Sequence, residues 1–135
     1  MEKVDTTPLL DKLGVRPGMR IAIVGPVDPD GSFMEQLAER TDDVTVGRPK
    51  PETDLVFLAA DTHAELAGLA ALRGRIRPAG AIWVVSRKGR AATLRDVEVI
   101  AAAKDAGLVD NKVVSFSPTH TSLRLVIPVA LRPRA

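Results

Sequence analysis

Asp61-x-His63 places a carboxylate and an imidazole two residues apart, and His120 is the second of the chain's two histidines. Together these three could supply metal ligands, or an acid–base pair with a group that titrates near neutrality. The simpler role for Asp61 is local, because it directly precedes Thr62-x-x-Glu65, the pattern of a helix capping box. Asp28 and Asp30 lie in Gly25-Pro26-Val27-Asp28-Pro29-Asp30-Gly31. They could form a carboxylate pair, although aspartates between prolines and a glycine are ordinary turn residues. Arg87-Lys88-Gly89-Arg90 precedes a helix start, where cations and free N–H groups would converge on a phosphate or carboxylate. The competing reading is a solvated basic loop. Arg48 adds a further cation after Gly47. Ser86 and Ser117 lack the G-x-S-x-G setting of a nucleophile elbow. With no cysteine in the chain, thiolate nucleophiles, thiolate metal sites and disulfides are all excluded.

The elements that must position these residues follow from pattern. Thr7-Pro8-Leu9-Leu10 opens a short helix with Thr7 as its cap, and Gly14 stops it. Met19 to Gly25 reads as a buried strand over about 20–25. Ser32-x-x-Glu35 caps a helix to about Arg40. Val44 to Val46 is a short strand, and Gly47-Arg-Pro-Lys-Pro-Glu-Thr53 is a stiff extended connector. Leu55 to Ala59 has no polar residue and should be covered on both faces. Thr62 opens a helix to about Ile76 with Leu66, Leu69, Leu72 and Ile76 on one stripe. Pro78-Ala-Gly80 turns into the strand Ala81 to Val85, where Trp83 is a core residue. Thr93-x-x-Asp96 caps a last helix with Leu94, Val97, Ile100 and Ala101 inward, ended by Gly107. Lys112 to Phe116 and Leu123 to Val129 form a closing hairpin around Pro118 to Ser122.

Strands and helices alternate, and the apolar strands are short and continuous. The fold class is therefore α/β: one doubly wound, mostly parallel sheet of about six strands with a C-terminal antiparallel hairpin. A chain of 135 residues, 45% hydrophobic and 27% charged, makes one globular domain. The first residues lack the apolar run of a signal peptide, and no apolar stretch approaches the roughly 20 residues of a membrane span. The expectation is a cytoplasmic protein without a membrane role. Net charge is +2, too balanced to argue for nucleic acid. Its distribution is uneven: Arg73 to Arg95 holds seven bases and no acid, whereas Asp28 to Glu65 holds ten acids.

In such a sheet, ligands sit beyond the carboxyl ends of the strands. That edge would gather Gly25, Asp28, Asp30, Arg48, Asp61, His63, Arg87, Lys88, Arg90, Thr119 and His120. Arg73, Arg75 and Arg77 fall at the opposite edge, where they offset a helix C-terminal dipole. The basic run is thus split in two, which disfavours nucleic acid. The loop after the first strand, where nucleotide-binding folds carry G-x-G-x-x-G, has two prolines that cannot donate and two aspartates that would repel a phosphate.

Leu13-Gly-Val-Arg-Pro-Gly-Met-Arg-Ile-Ala-Ile-Val-Gly25 resembles the lead-in and first strand of S-adenosylmethionine-dependent methyltransferases. Asp54-Leu-Val-Phe57 resembles their fourth strand, Arg77-Pro-Ala-Gly-Ala-Ile-Trp-Val84 the turn and strand of their fifth, and Ala106-Gly-Leu-Val109 with the hairpin their closing β-pair. More narrowly, Gly107-Leu-Val-Asp-Asn-Lys-Val113 with Ser122-Leu-Arg-Leu125 looks like an uncharacterised bacterial family of short proteins, which implies a fold and no activity. The methyltransferase resemblance implies S-adenosylmethionine, but two of its usual features are missing. Gly47-Arg48 stands where an acid normally holds the ribose hydroxyls, and one helix–strand–helix unit is replaced by residues 47–53. Those seven residues reach about 22 Å in polyproline form, enough to cross one strand. The shortening would leave part of one sheet face thinly covered, a surface for a protein partner or a second copy.

The leading expectation is a non-catalytic, degenerate methyltransferase-like domain acting through a protein partner or self-association. The alternative is a binder of an adenosine-type or anionic small molecule, a working methyltransferase included. No metal is expected.

Overall fold

The computed structural model describes residues 8–28 and 31–132. Apolar residues at every position drive β1 (Ile21–Val24) and most of β3 (Thr53–Ala59) and β4 (Ile76–Arg87) into the centre of a six-stranded sheet. Its order is β2-β1-β3-β4-β6-β5, with β2 at Val44–Val46, β5 at Val109–Ser115 and β6 at His120–Val126. The first four strands run parallel; β6 runs antiparallel to both β4 and β5. The connection from β2 passes over β1 to β3 with no helix or strand between them. Arg20 pins this crossover by donating to the Pro51 carbonyl at 2.7 Å and pairing with Asp43 at 3.0 Å.

Alternate residues of each central strand face opposite ways, so the sheet has two cores. On one face Ile21, Ile23, Phe57 and Trp83 pack beneath α1 (Leu9–Lys12) and α2 (Ser32–Arg40). Phe33 of α2 meets Phe57 and Phe116 edge-on, with ring centroids 5.1 and 4.8 Å away. Trp83 is fully buried, and its indole N–H donates to the Leu13 carbonyl at 3.1 Å. On the other face Val56, Leu58, Ile82 and Val84 pack under α3 (His63–Leu66), α4 (Leu69–Arg73) and α5 (Asp96–Asp105). Helices on both faces make the sheet doubly wound, as the alternation of elements predicts. Among the described residues, no helix is long and apolar enough to cross a membrane.

Several local expectations are corrected. Thr7 lies outside the described residues, and Pro8 holds the cap position of α1. Gly31 rather than Ser32 is the N-cap of α2, and the first-turn N–H of Met34 is satisfied by Asp28. The helix expected from Thr62 to Ile76 breaks at Ala67-Gly68 into α3 and α4, and Ile76 already belongs to β4. Pro78 to Gly80 is not a turn before the strand but an irregular stretch within it, where the register against β3 shifts. Thr93 does not cap α5. Its hydroxyl donates to the Asp61 carbonyl, while Glu98 accepts from the Arg95 N–H at 3.3 Å. Of the residues expected inward, Leu94 is buried just ahead of α5 and Ile100 packs half-buried on the core, but Val97 is 60% exposed and Ala101 is exposed; the fully buried residues of α5 are Val99 and Ala103. The hairpin strands start earlier than expected, and Val129 falls in a short 3-10 turn. One residue of β5, Asn111, is extra against β6, since Asp110 faces Leu125 and Lys112 faces Arg124. The connector is not uniformly extended, because Pro51-Glu52 forms a turn with Glu52 at φ 59°. At the β2 edge Val46 is 73% exposed.

Candidate functional site

At the carboxyl edge, the loop after β1 begins at Gly25, whose φ is 82°. A Cβ there would sit 3.2 Å from the Ala59 Cβ, so the loop leans directly on β3. Val27 turns inward and is 2% exposed. The Asp28 carboxylate then accepts from the Met34 N–H at 2.9 Å. An anion therefore already occupies the start of α2, and it belongs to the chain itself.

The loops after β3 and β4 hold each other. Asp61 accepts from the Arg87 backbone N–H at 2.8 Å, and its other oxygen lies 3.6 Å from the Arg87 Nε. Glu65 accepts from the Asp61 N–H and the Thr62 hydroxyl at 3.0 Å each, and Thr62 accepts from the Glu65 N–H at 3.1 Å. The bond from the Asp61 N–H, more than any other contact, lowers the Glu65 pKa below its usual 4.5. His63 Nε2 lies 3.7 Å from Glu98 Oε2. Lys88 donates to the Ser115 hydroxyl at 2.7 Å. Arg48 and Arg90 are exposed and form no ion pair with another described residue. Asp30 lies outside the described residues.

Of the candidates, Asp61 and Arg87 share a polar lattice with Glu65 and Thr93 over β3 and β4, whereas His63 turns to Glu98, Lys88 turns to Ser115, and Arg48 and Arg90 join no cluster of described residues. Asp28 and His120 line a separate cavity of about 310 Å³ between α2 and the hairpin turn, walled by Phe33, Gln36, Phe116 and Thr119. There His120 Nδ1 shares a hydrogen bond with the Thr119 hydroxyl at 2.8 Å. Among the described residues no three histidine or carboxylate groups are placed to hold a metal.

The fold has counterparts among solved structures. A SAM-dependent methyltransferase from Aquifex aeolicus superposes with a TM-score of 0.67 at 16% identity, over 88% of this chain and 87% of that one. The fold is methyltransferase-like. A TehB-like SAM-dependent methyltransferase from Corynebacterium glutamicum gives 0.60 at 12% identity, over 88% and 85% of the two chains. An O-methyltransferase from neocarzinostatin biosynthesis, solved with S-adenosyl-L-homocysteine, gives 0.60 at 15% identity over 79% of this chain and 48% of that one. No protein-family model matches the sequence, and no curated protein sequence does either.

Within this methyltransferase-like frame, Gly47 takes a φ of 104° and donates to the Ile23 carbonyl at 2.8 Å at the end of β2. Arg48 follows it, so the loop carries a cation beside the edge strand. Sequence reasoning missed a larger cavity of about 1000 Å³ at the opposite, amino edge of the sheet. The signal was Arg124, a charge inside the otherwise apolar run Leu123 to Val126.

Proposed function

We propose that this chain is a methyltransferase-like domain that transfers no methyl group and works as a binding module for a protein partner or a second copy of itself. The observation that carries this reading is the Asp28 carboxylate on the first turn of α2. In nucleotide-binding α/β folds that turn offers free N–H groups to the ligand. Here one of them is occupied by an internal anion, and Pro26 withholds another donor from the loop. The lattice around Asp61 supports the same conclusion, since the Asp61 and Glu65 carboxylates and the Thr93 hydroxyl are spent within it.

Calorimetric titration with S-adenosyl-L-homocysteine tests the reading. The expected outcome is no saturable heat at ligand concentrations up to about 1 mM, a binding free energy weaker than about −4 kcal/mol. A dissociation constant in the micromolar range would overturn it. The cavity beside His120 favours a second reading, a small-molecule site, because its volume lies at the lower end of the roughly 300–1,000 Å³ of ligand pockets. Saturable binding of adenosine in a parallel calorimetric titration would put that reading first.

A further inference from the structure

The amino edge of the sheet carries an open groove of about 1000 Å³. Four arginines from four parts of the chain line it: Arg16 before β1, Arg73 ending α4, Arg77 in the irregular stretch of β4, and Arg124 on β6. Two acids, Glu52 and Asp54, share the wall. Asp54 is already committed, accepting from the Arg20 N–H at 2.8 Å and pairing with Arg77 at 3.2 Å. Arg73 spends its Nε on the Gly107 carbonyl at 3.2 Å, which leaves its terminal N–H groups to the groove.

Arg16 and Arg124 form no ion pair with another described residue. Arg124 is half-buried, and its position is fixed by strand pairing opposite Trp83 and Lys112. A half-buried guanidinium without a counter-ion is costly, and burial draws its pKa below the usual range, with the nearby Arg132 charge adding to the effect. Both costs are relieved by an incoming anion.

We infer that this groove is a docking site for an acidic peptide segment of a protein partner, held by Arg16 and Arg124 with Arg73 and Arg77 beside them. Guanidinium groups clamp carboxylates through paired N–H donors, so several acidic side chains along one extended segment match several arginines along one groove. The groove's size exceeds what a single small anion fills. No aromatic side chain lines it, so a nucleotide base would find no stacking surface, and single-stranded nucleic acid is the poorer fit. This inference rests on the reading of the chain as a binding module and names the partner's chemistry.

Fluorescence anisotropy with a labelled ten-residue peptide of alternating glutamate and alanine tests it, at low salt and again at about 0.5 M salt. The full chain should bind this peptide saturably, and salt should weaken the complex. Arg124→Gln and Arg16→Ala should each weaken it about tenfold. Arg16 is exposed, so its substitution keeps the test independent of folding. Arg90→Ala, at the other edge of the sheet, should leave affinity unchanged. Absence of binding, equal weakening by Arg90→Ala, or tighter binding of an oligothymidine of the same charge that Arg124→Gln abolishes would each overturn the inference. Its failure is separable from that of the non-catalytic reading, which stands or falls on S-adenosyl-L-homocysteine titration.

Discussion

Asp28 shows how one side chain can serve the start of a helix from outside it. Its carboxylate sits on the third N–H of α2, where negative charge also meets the positive end of the helix dipole. Replacing Asp28 with alanine should cost about 1 kcal/mol, the usual value of a lost cap. The melting temperature should fall by about 4 °C, which a thermal scan followed by circular dichroism would register; an unchanged melt would mean that water caps the turn equally well. Glu65 supplies a pH-dependent counterpart. Because its folded pKa is lowered, chiefly by the Asp61 N–H, its contribution to stability is fully present above the ordinary value of 4.5. That contribution fades as pH falls through the folded pKa. Glu65→Gln should therefore narrow the stability difference between pH 7 and pH 3, measured by urea denaturation at both. The side chain is exposed, so the effect should be small.

Secondary-structure elements were legible where their pattern had one reading. Leu55 to Leu58 is an unbroken apolar run, and a run that must be covered on both faces becomes a central strand. The stripe Leu66, Leu69, Leu72 was equally plain, and all three are buried, yet the helix itself divides. Spacing reports which side faces the core and says nothing of a turn at Ala67-Gly68, where glycine costs a helix about 1 kcal/mol against alanine. In α5 the error came from its start. Leu94 is buried but precedes the helix, so a stripe counted from it selected Val97 in place of Val99. Pro78 looked like the end of a loop, but β4 absorbs it in an irregular stretch against β3. Gly80 makes that stretch fit. A Cβ there would lie 2.8 Å from the Asp54 carbonyl oxygen and 3.1 Å from those of Thr53 and Arg77. Gly80→Ala must push backbone aside and should destabilise by about 1–3 kcal/mol. Chemical denaturation would measure it, and a neutral result would mean that β3 and β4 separate here more easily than their packing implies.

At the scale of the molecule, the sheet could be anticipated because each strand advertises its own burial. The short crossover after β2 could be anticipated because residues 47–53 leave no room for a helix. The carboxyl-edge residues could be collected from topology alone, but not their division into a lattice and a cavity, since that depends on which carboxylate finds which N–H. The amino-edge groove was least legible. It joins Arg16 to Arg124 from opposite ends of the chain, and no local pattern connects them. The extra residue Asn111 has a different significance. A regular outer strand exposes a row of free peptide groups that can recruit a stray strand and seed aggregation. In this protein β5 breaks register at that insertion and carries Lys112 beside it, while the other border, β2, spans only Val44–Val46. A broken register at one border and three residues at the other make both poor templates for strand addition. Crowding in concentrated solution should therefore not draw copies of the chain into a continuous fibre, an outcome that thioflavin fluorescence would check.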